Sequence, residues 1–123
     1  MSGCVLVVDD HPPSLKLARV LLGASGYEVL TAGDAEEALS VLAETRPGLV
    51  LMDIQMPRVD GLALTRQLKA DPRYREIPIV ALTARAMRGD DLAARAAGCD
   101  GYVAKPIDTR TLPSFVARHL RRA

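Results

Sequence analysis

Several features that would assign a function class are scarce or missing in this sequence. The two cysteines, Cys4 and Cys99, form neither a metal-binding spacing nor a dense disulfide framework. No apolar run approaches the roughly 18 residues of a membrane span, and Asp9 and Asp10 come too early for a secretion signal. The 16 basic and 15 acidic residues nearly balance, which argues against a protein that binds nucleic acid by charge. We therefore expect a cytoplasmic protein with reduced thiols and no direct membrane or nucleic-acid contact.

The length and composition are those of one globular domain. The 123 residues are 49% hydrophobic and 25% charged, which is too apolar for a disordered chain. A chain of this size buries roughly two-thirds of its unfolded surface, enough for a real core. Because no repeat, low-complexity stretch or linker is present, we expect residues 1–123 to form a single domain.

Short β-branched apolar runs alternate with segments of helical spacing. The runs are Cys4–Val8, Tyr27–Thr31, Leu49–Met52, Ile77–Leu82 and Tyr102–Ala104. The apolar faces of the five helical segments are Leu15, Ala18, Leu21 and Leu22; Ala35, Ala38, Leu39 and Leu42; Leu62, Thr65 and Leu68; Leu92, Ala93 and Ala96; and Leu112, Phe115, Val116 and Leu120. Five strands that are each followed by a helix predict an α/β fold, a doubly wound three-layer sandwich around a parallel sheet.

Local signals mark where several of these helices begin and end. Asp34 and Glu37 have the spacing of a capping box at the start of the second helix. Asp60 and Gly61 open the third helix, and Gly98 ends the fourth. Pro113 lies inside the last helical pattern, so that helix starts later than residue 108 or has an irregular first turn.

Chemically active side chains follow four of the five predicted strands. The first strand runs into Asp9 and Asp10, the third runs into Asp53, the fourth ends at Thr83, and the fifth ends near Lys105. In doubly wound folds, ligands bind beyond the carboxyl ends of the strands. We therefore expect three carboxylates, a hydroxyl and an ammonium group to share one edge of the sheet.

A cluster of three carboxylates is hard to explain as scaffolding. Two like charges about 4 Å apart repel by about 4 kcal/mol at an effective dielectric of 20, and a hard divalent cation removes that cost. Mg²⁺ binds oxygen ligands and keeps several waters, so one or two carboxylates suffice. With Lys105 opposite the metal, the pattern predicts a phosphoryl-transfer site that has a carboxylate nucleophile.

Each of these residues, taken alone, has an ordinary structural explanation. A single aspartate after a strand is more often a turn former or a helix cap than a ligand. Thr83 alone is most often a strand-end residue, and Lys105 alone is most often solvated. The functional interpretation depends on their coincidence at one edge, with complementary charges.

The sequence resembles the CheY-like receiver domains of two-component response regulators. The residues that carry the resemblance are Val7-Val8-Asp9-Asp10, Leu49 to Pro57 with Asp60-Gly61, Ala81-Leu82-Thr83-Ala84, and Tyr102-Val103-Ala104-Lys105-Pro106. The stretch from Ala84 to Asp90 and the pair Gly98-Cys99 are similar to single-domain receivers of the DivK type and to receivers of hybrid histidine kinases. The resemblance implies a flavodoxin-like (βα)5 fold with strand order 2-1-3-4-5.

The resemblance also implies a Mg²⁺-dependent phosphoryl acceptor. Asp53 matches the aspartate that receives the phosphoryl group. Asp10 and Asp53 match direct Mg²⁺ ligands, together with the backbone carbonyl of Gln55, and Asp9 matches the acidic residue that holds the metal through water.

Three further residues match the parts that respond to the phosphoryl group. Lys105 matches the lysine that pairs with the phosphoryl oxygens. Thr83 matches the hydroxyl that moves toward them, and Tyr102 matches the aromatic that turns inward as Thr83 moves. Together with Asp53, Lys105 and Thr83 are the expected catalytic residues.

The implied partners are proteins. A histidine kinase or a histidine phosphotransfer protein would supply the phosphoryl group, and the surface of the fourth helix, fifth strand and fifth helix would contact a downstream target. We expect a monomer or weak dimer that has no output domain. It would not be an enzyme beyond catalysing its own phosphorylation and dephosphorylation.

Other interpretations of the same residues remain open. A phosphate-independent interaction module with a receiver fold, or a receiver fragment of a hybrid kinase, would have a similar sequence. An aspartyl phosphatase or phosphotransferase usually carries a second acid two residues after its nucleophile, where this chain has Gln55. A flavin site would need a Ser/Thr/Gly-rich loop after the first strand, and the sequence has none there.

Overall fold

The computed structural model describes residues 3–54, 61–83, 90–104, 110 and 112–119. Five strands and five helices alternate along the chain. They are β1 (Cys4–Val8), α1 (Pro12–Ala24), β2 (Glu28–Ala32), α2 (Ala35–Glu44), β3 (Leu49–Asp53), α3 (Gly61–Ala70), β4 (Ile79–Thr83), α4 (Asp90–Ala97), β5 (Gly101–Ala104) and α5 (Leu112–His119).

The strands form one parallel sheet in the order β2-β1-β3-β4-β5. This confirms the doubly wound three-layer fold and its strand order. β3 and β4 are buried along their whole length, because helices cover both faces of the sheet.

Two predicted strands begin later than the apolar pattern suggests. Tyr27 lies before β2, since its N–H donates to the carbonyl of Leu22 and closes the end of α1. Ile77 is buried, but its N–H donates to the carbonyl of Tyr74 within a turn, and β4 begins at Ile79. Apolar residues at both positions contribute to the core without joining the sheet.

Alternation along the strands divides the core into two layers. One layer contains Leu6, Val8, Val50, Met52 and Ile79, against which Ala38 and Leu42 of α2 and Leu64 and Leu68 of α3 pack. The other contains Val5, Val7, Leu49, Leu51, Val80 and Leu82, covered by Ala18 and Leu22 of α1 and Leu112 and Val116 of α5. The sheet is thereby fixed from both sides, and its carboxyl edge is held in place.

The predicted apolar face of α4 is wrong. Leu92 is 68% exposed, whereas Ala94 and Ala97 are buried. Alanines lie on several sides of this short helix, so periodicity does not single out one face. The buried alanines let α4 approach its neighbours closely, and the larger Leu92 is left in solvent.

The predicted helix ends are largely confirmed. The Asp34 carboxylate accepts the N–H of Glu37 at 2.8 Å, but the Glu37 carboxylate bonds the N–H of Gly33 rather than that of Asp34. Gly98 follows α4 with φ of 103°, a conformation that favours glycine. Helix α5 begins at Leu112, so Pro113 lies in its first turn. Backbone N–H groups in a first turn have no acceptor within the helix, so the N–H that proline lacks costs no hydrogen bond there.

Two predictions about helices fall outside the described residues, namely those on Asp60 and Leu120. The longest described helix, α1, has 13 residues. No helix in the described part of the chain has both the length and the apolar character needed to cross a membrane.

Candidate functional site

The sheet register brings the ends of β1 and β3 to the same level. Val8 pairs with Met52, and the next residues along the two strands are Asp9 and Asp53. The N–H of Asp9 donates to Ala32 of β2 at 3.0 Å, so the backbone at Asp9 continues the ladder beyond β1. The two aspartates therefore lie next to each other at the carboxyl edge of the central strands.

Three carboxylates converge at this edge, as the sequence predicts. One oxygen from each of Asp9, Asp10 and Asp53 lies within 4.8 Å of the others. Asp9 is fully buried and Asp53 is 3% exposed, while Asp10 is exposed to solvent. Such a set consists only of hard oxygen donors with one side open, which fits a hydrated Mg²⁺ ion.

The start of α1 fixes the orientation of Asp9. The backbone N–H of His11 donates to Asp9 Oδ1 at 2.9 Å. His11 occupies the N-cap position of α1, with its Nδ1 2.9 Å from Ser14 Oγ. Since one Asp9 oxygen is turned toward the backbone, the side chain is held rather than free to rotate.

Thr83 and Tyr102 point to the same face of the sheet. Thr83, the last residue of β4, pairs with Ala104, and Tyr102 pairs with Ala81. Because side chains alternate along strands, residues 81 and 83 of β4 share one face with residue 102 of β5. Thr83 is fully buried and Tyr102 is half-buried.

A cavity of about 390 Å³ opens beside Tyr102. Its walls include Arg95 from α4, and Phe115 and His119 from α5. Phe115 and His119 stack with their ring centroids 4.3 Å apart, and His119 Nδ1 lies 3.0 Å from the carbonyl of Phe115. The cavity thus lies on the surface formed by α4, β5 and α5.

Two predicted site residues, Gln55 and Lys105, lie outside the described residues. β3 ends at Asp53, two positions before Gln55, and β5 ends at Ala104, directly before Lys105. Their assignments therefore stay predictions.

Sequence reasoning placed Gly61 at a helix start and among the residues of the family resemblance, but missed its contact with the site. A Cβ at Gly61 would overlap the carbonyl oxygen of Asp53 and lie 2.8 Å from Cα of Ile54. Thr65, one turn later, is fully buried and donates its hydroxyl to the carbonyl of Gly61 at 2.8 Å. A glycine at the first position of a helix that follows the Asp53 strand is the signal that could have indicated close backbone packing.

Both cysteines are free and half-buried. Burial raises the pKa of the Cys4 thiol and of the Cys99 thiol above the usual value of 9.0. The two thiols therefore remain protonated at neutral pH, as expected for packing residues rather than nucleophiles.

Residues 5–117 match the family model of the response regulator receiver domain. The chain belongs to the response regulator receiver family. It is 45% identical over 116 residues to the polar-differentiation response regulator DivK of Brucella anthropi, a match that covers 94% of this chain and 92% of that protein.

Solved receiver structures share the fold over nearly the whole chain. The chemotaxis response regulator CheY4 of Vibrio cholerae superposes with a TM-score of 0.90 at 29% identity, covering 98% of this receiver and all of that chain. The receiver domain of a sensor histidine kinase from Pseudomonas aeruginosa gives 0.87 at 32% identity, covering 97% and 98% of the two chains. That structure has a magnesium ion coordinated in its active-site cleft. The receiver described here is a signalling domain of two-component phosphorelays.

Proposed function

We propose that this receiver accepts a phosphoryl group on Asp53 in a Mg²⁺-dependent reaction and thereby changes its affinity for protein partners. The donor would be the phosphohistidine of a histidine kinase or a histidine phosphotransfer protein. The convergence of Asp9, Asp10 and Asp53 within 4.8 Å of one another supports this proposal most strongly. An acidic cluster alone is common, but this one lies at the edge where doubly wound folds bind their ligands.

The residues divide the binding of Mg²⁺ between them. Asp10 and Asp53, with the carbonyl of Gln55, would coordinate the ion, and Asp9 would hold it through water. Asp10 is exposed and so meets the ion at the surface, whereas Asp9 and Asp53 are buried. When bound, Mg²⁺ neutralises charge on the phosphoryl oxygens and on the carboxylates.

The chemical step is a displacement at phosphorus. A carboxylate oxygen of Asp53 forms a P–O bond while the P–N bond to the donor imidazole breaks, and the leaving nitrogen keeps the electron pair and takes up a proton. Lys105 would pair with the phosphoryl oxygens. The chemistry of the domain is then limited to its own phosphorylation and dephosphorylation.

The response would pass from Thr83 to Tyr102. The Thr83 hydroxyl moves toward the phosphoryl group, and Tyr102, on the same face of the sheet, follows it inward. The cavity beside Tyr102 lies on the surface formed by α4, β5 and α5, so the movement changes the surface offered to a downstream protein.

The size of this response depends on cooperation between contacts. A shift from 1:99 to 99:1 needs about 5.5 kcal/mol of differential interaction. One charge-assisted hydrogen bond supplies about 1.5–3 kcal/mol. Lys105 and Thr83 must therefore act together for a complete switch, in a domain that works in the cytoplasm as a monomer or weak dimer.

The test is labelling by a small phosphodonor such as acetyl phosphate, with and without Mg²⁺, followed by intact-protein mass spectrometry. Wild type should gain one phosphoryl group only with the metal, and Asp53→Ala should gain none. Asp34→Ala, at another aspartate of the same edge, is the control and should label like wild type. Equal labelling of Asp53→Ala and wild type would show that Asp53 is not the acceptor.

A further inference from the structure

The first turn of α3 packs directly on the backbone of Asp53. Gly61 is buried, and the space where its Cβ would lie is taken by the Asp53 carbonyl oxygen and by Cα of Ile54. Alanine would therefore force either the helix or the Asp53–Ile54 peptide to move. The N–H of Ile54 is bonded to Leu82 of β4 at 3.2 Å, so this peptide also belongs to the sheet ladder.

Thr65 holds that turn in place from inside the core. It is fully buried, and its hydroxyl donates to the carbonyl of Gly61 at 2.8 Å. Cys99, from the loop before β5, packs against the core layer on the same side of the sheet. Leu64 and Leu68 anchor the same helix in the core layer that contains Met52.

We propose that Gly61 and Thr65 are positioning residues for Asp53, which set where its carboxylate lies relative to Asp9 and Asp10. Gly61 would let α3 support the Asp53–Ile54 peptide by direct contact, and Thr65 would fix the turn that provides the contact. The inference rests on the proposed function, because it assigns to these residues the geometry of that same site.

The carboxylates are sensitive to such displacement. Their oxygens lie within 4.8 Å of one another, so a small shift of the Asp53 backbone alters the distances on which a shared cation depends. A misplacement of about 1 Å can lower a reaction rate by about 100-fold. A residue that never touches metal or phosphate can therefore control both.

The test compares four variants with wild type. Gly61→Ala fills the contact, Thr65→Val removes the hydroxyl at nearly equal volume, and Thr65→Ser restores the hydroxyl. Gly23→Ala is the matched helical control, because nothing lies within 4 Å of a Cβ at Gly23. Each variant is measured for Mg²⁺ affinity by calorimetry, acetyl phosphate labelling rate, urea unfolding, and the amide chemical shift of Ile54.

We expect Gly61→Ala to weaken Mg²⁺ binding and to slow labelling by about tenfold or more, with a shifted Ile54 amide. Thr65→Val should have a smaller effect in the same direction, on the order of threefold, and Thr65→Ser should return toward wild type. Gly23→Ala should leave Mg²⁺ affinity and labelling unchanged, and should stabilise the fold by up to about fivefold in the folding constant.

The outcomes separate this inference from the proposed function. If wild type neither binds Mg²⁺ nor becomes labelled, the proposed function fails and this inference with it. If wild type does both, but Gly61→Ala and Thr65→Val lose stability while keeping Mg²⁺ affinity and labelling rate, the two residues are structural and the inference is overturned. Should Gly61→Ala not fold, the Thr65→Val and Thr65→Ser pair decides by the same readouts.

Discussion

The two edges of the sheet use aspartate in opposite ways. At the amino edge of β4 and β5, Asp71 lies 2.8 Å from Arg73, and Asp100 lies 2.8 Å from the ammonium group of Lys69. At the carboxyl edge, the carboxylates of Asp9, Asp10 and Asp53 approach one another. Asp71 and Asp100 each have a cation of the chain beside them, whereas the clustered aspartates converge on one another in a set of oxygen donors that could hold a metal ion.

The ion pair of Lys69 and Asp100 is part of a larger set of hydrogen bonds. The Lys69 ammonium group donates to the carbonyls of Arg75 and Ile77 as well as to Asp100, and the Asp100 carboxylate also accepts the N–H of Ile79. These bonds join the end of α3 to the starts of β4 and β5. All three donors of the Lys69 ammonium group are thereby used within the chain.

The largest expected effect comes from neutralising one carboxylate of the cluster at the carboxyl edge. Asp10→Asn removes a charge from the cluster, so Mg²⁺ affinity should fall on the order of 100-fold, or about 2.7 kcal/mol. Stability without metal should be unchanged or slightly higher, since like charges repel less. Calorimetric titration in Mg²⁺ and urea unfolding in a chelator measure the two quantities.

Asp34→Asn is the matched control for that titration. Asp34 also follows a strand at the carboxyl edge, but its carboxylate caps α2, and asparagine caps nearly as well. It should bind Mg²⁺ like wild type. Equal affinities in Asp10→Asn and Asp34→Asn would contradict the distinction between the clustered aspartates and the capping one.

Breaking the ion pair between Lys69 and Asp100 at the amino edge should lower stability rather than Mg²⁺ affinity. Lys69→Met keeps the aliphatic packing but leaves Asp100 without its cation, so the free energy of unfolding should fall by about 2 kcal/mol. Mg²⁺ affinity should not change. Urea unfolding of Lys69→Met, compared with the exposed-site control Lys16→Met, measures this loss of stability. Equal stability of the two variants would show that the Lys69–Asp100 ion pair does not stabilise the fold.

The contrast between the edges was only half predictable from sequence. Asp9 and Asp53 follow apolar runs directly and Asp10 comes next, so the ends of the predicted parallel strands place all three at one edge. Asp100 pairs with Lys69, which lies 31 residues earlier, and a pairing between a helix end and a distant loop carries no periodic signal. The contact of Gly61 with Asp53 depends on how closely α3 approaches the sheet, which only packing decides.

The same limit explains the error in α4. Its buried face consists of alanines, and its one large apolar residue, Leu92, is exposed. Hydrophobic periodicity identifies a face by the contrast between apolar and polar positions, and an alanine-rich helix offers little contrast. Asp34, with Glu37 at the right spacing, is the opposite case, because a cap is a purely local feature that sequence reveals.

A smaller effect tests the capping aspartate as structure. Asp34→Ala removes the acceptor for the N–H of Glu37, and should lower the free energy of unfolding by about 1 kcal/mol. Asp34→Asn should lose much less. Urea unfolding of the two variants measures this difference, and a loss of equal size in both would mean that charge near the helix start, rather than the cap bond, stabilises α2.

The smallest effect concerns the exposed ion pair of Asp71 and Arg73 at the amino edge. Hydrogen bonds from Arg73 lower the pKa of the Asp71 carboxyl below its usual 3.8. A lowered pKa in the folded state adds stability that is present above pH 3.8 and is lost as the pH falls through the folded-state pKa. Arg73→Gln should therefore raise the pKa of Asp71 toward 3.8 in an NMR titration, with little change in stability at neutral pH because the pair is solvated.

Arg75→Gln, which removes a nearby exposed arginine, should leave the pKa of Asp71 unchanged. If both variants raise the pKa of Asp71 equally, general positive charge rather than the Arg73 contact holds this carboxylate ionised. The pairing at the amino edge is then less specific than its geometry suggests.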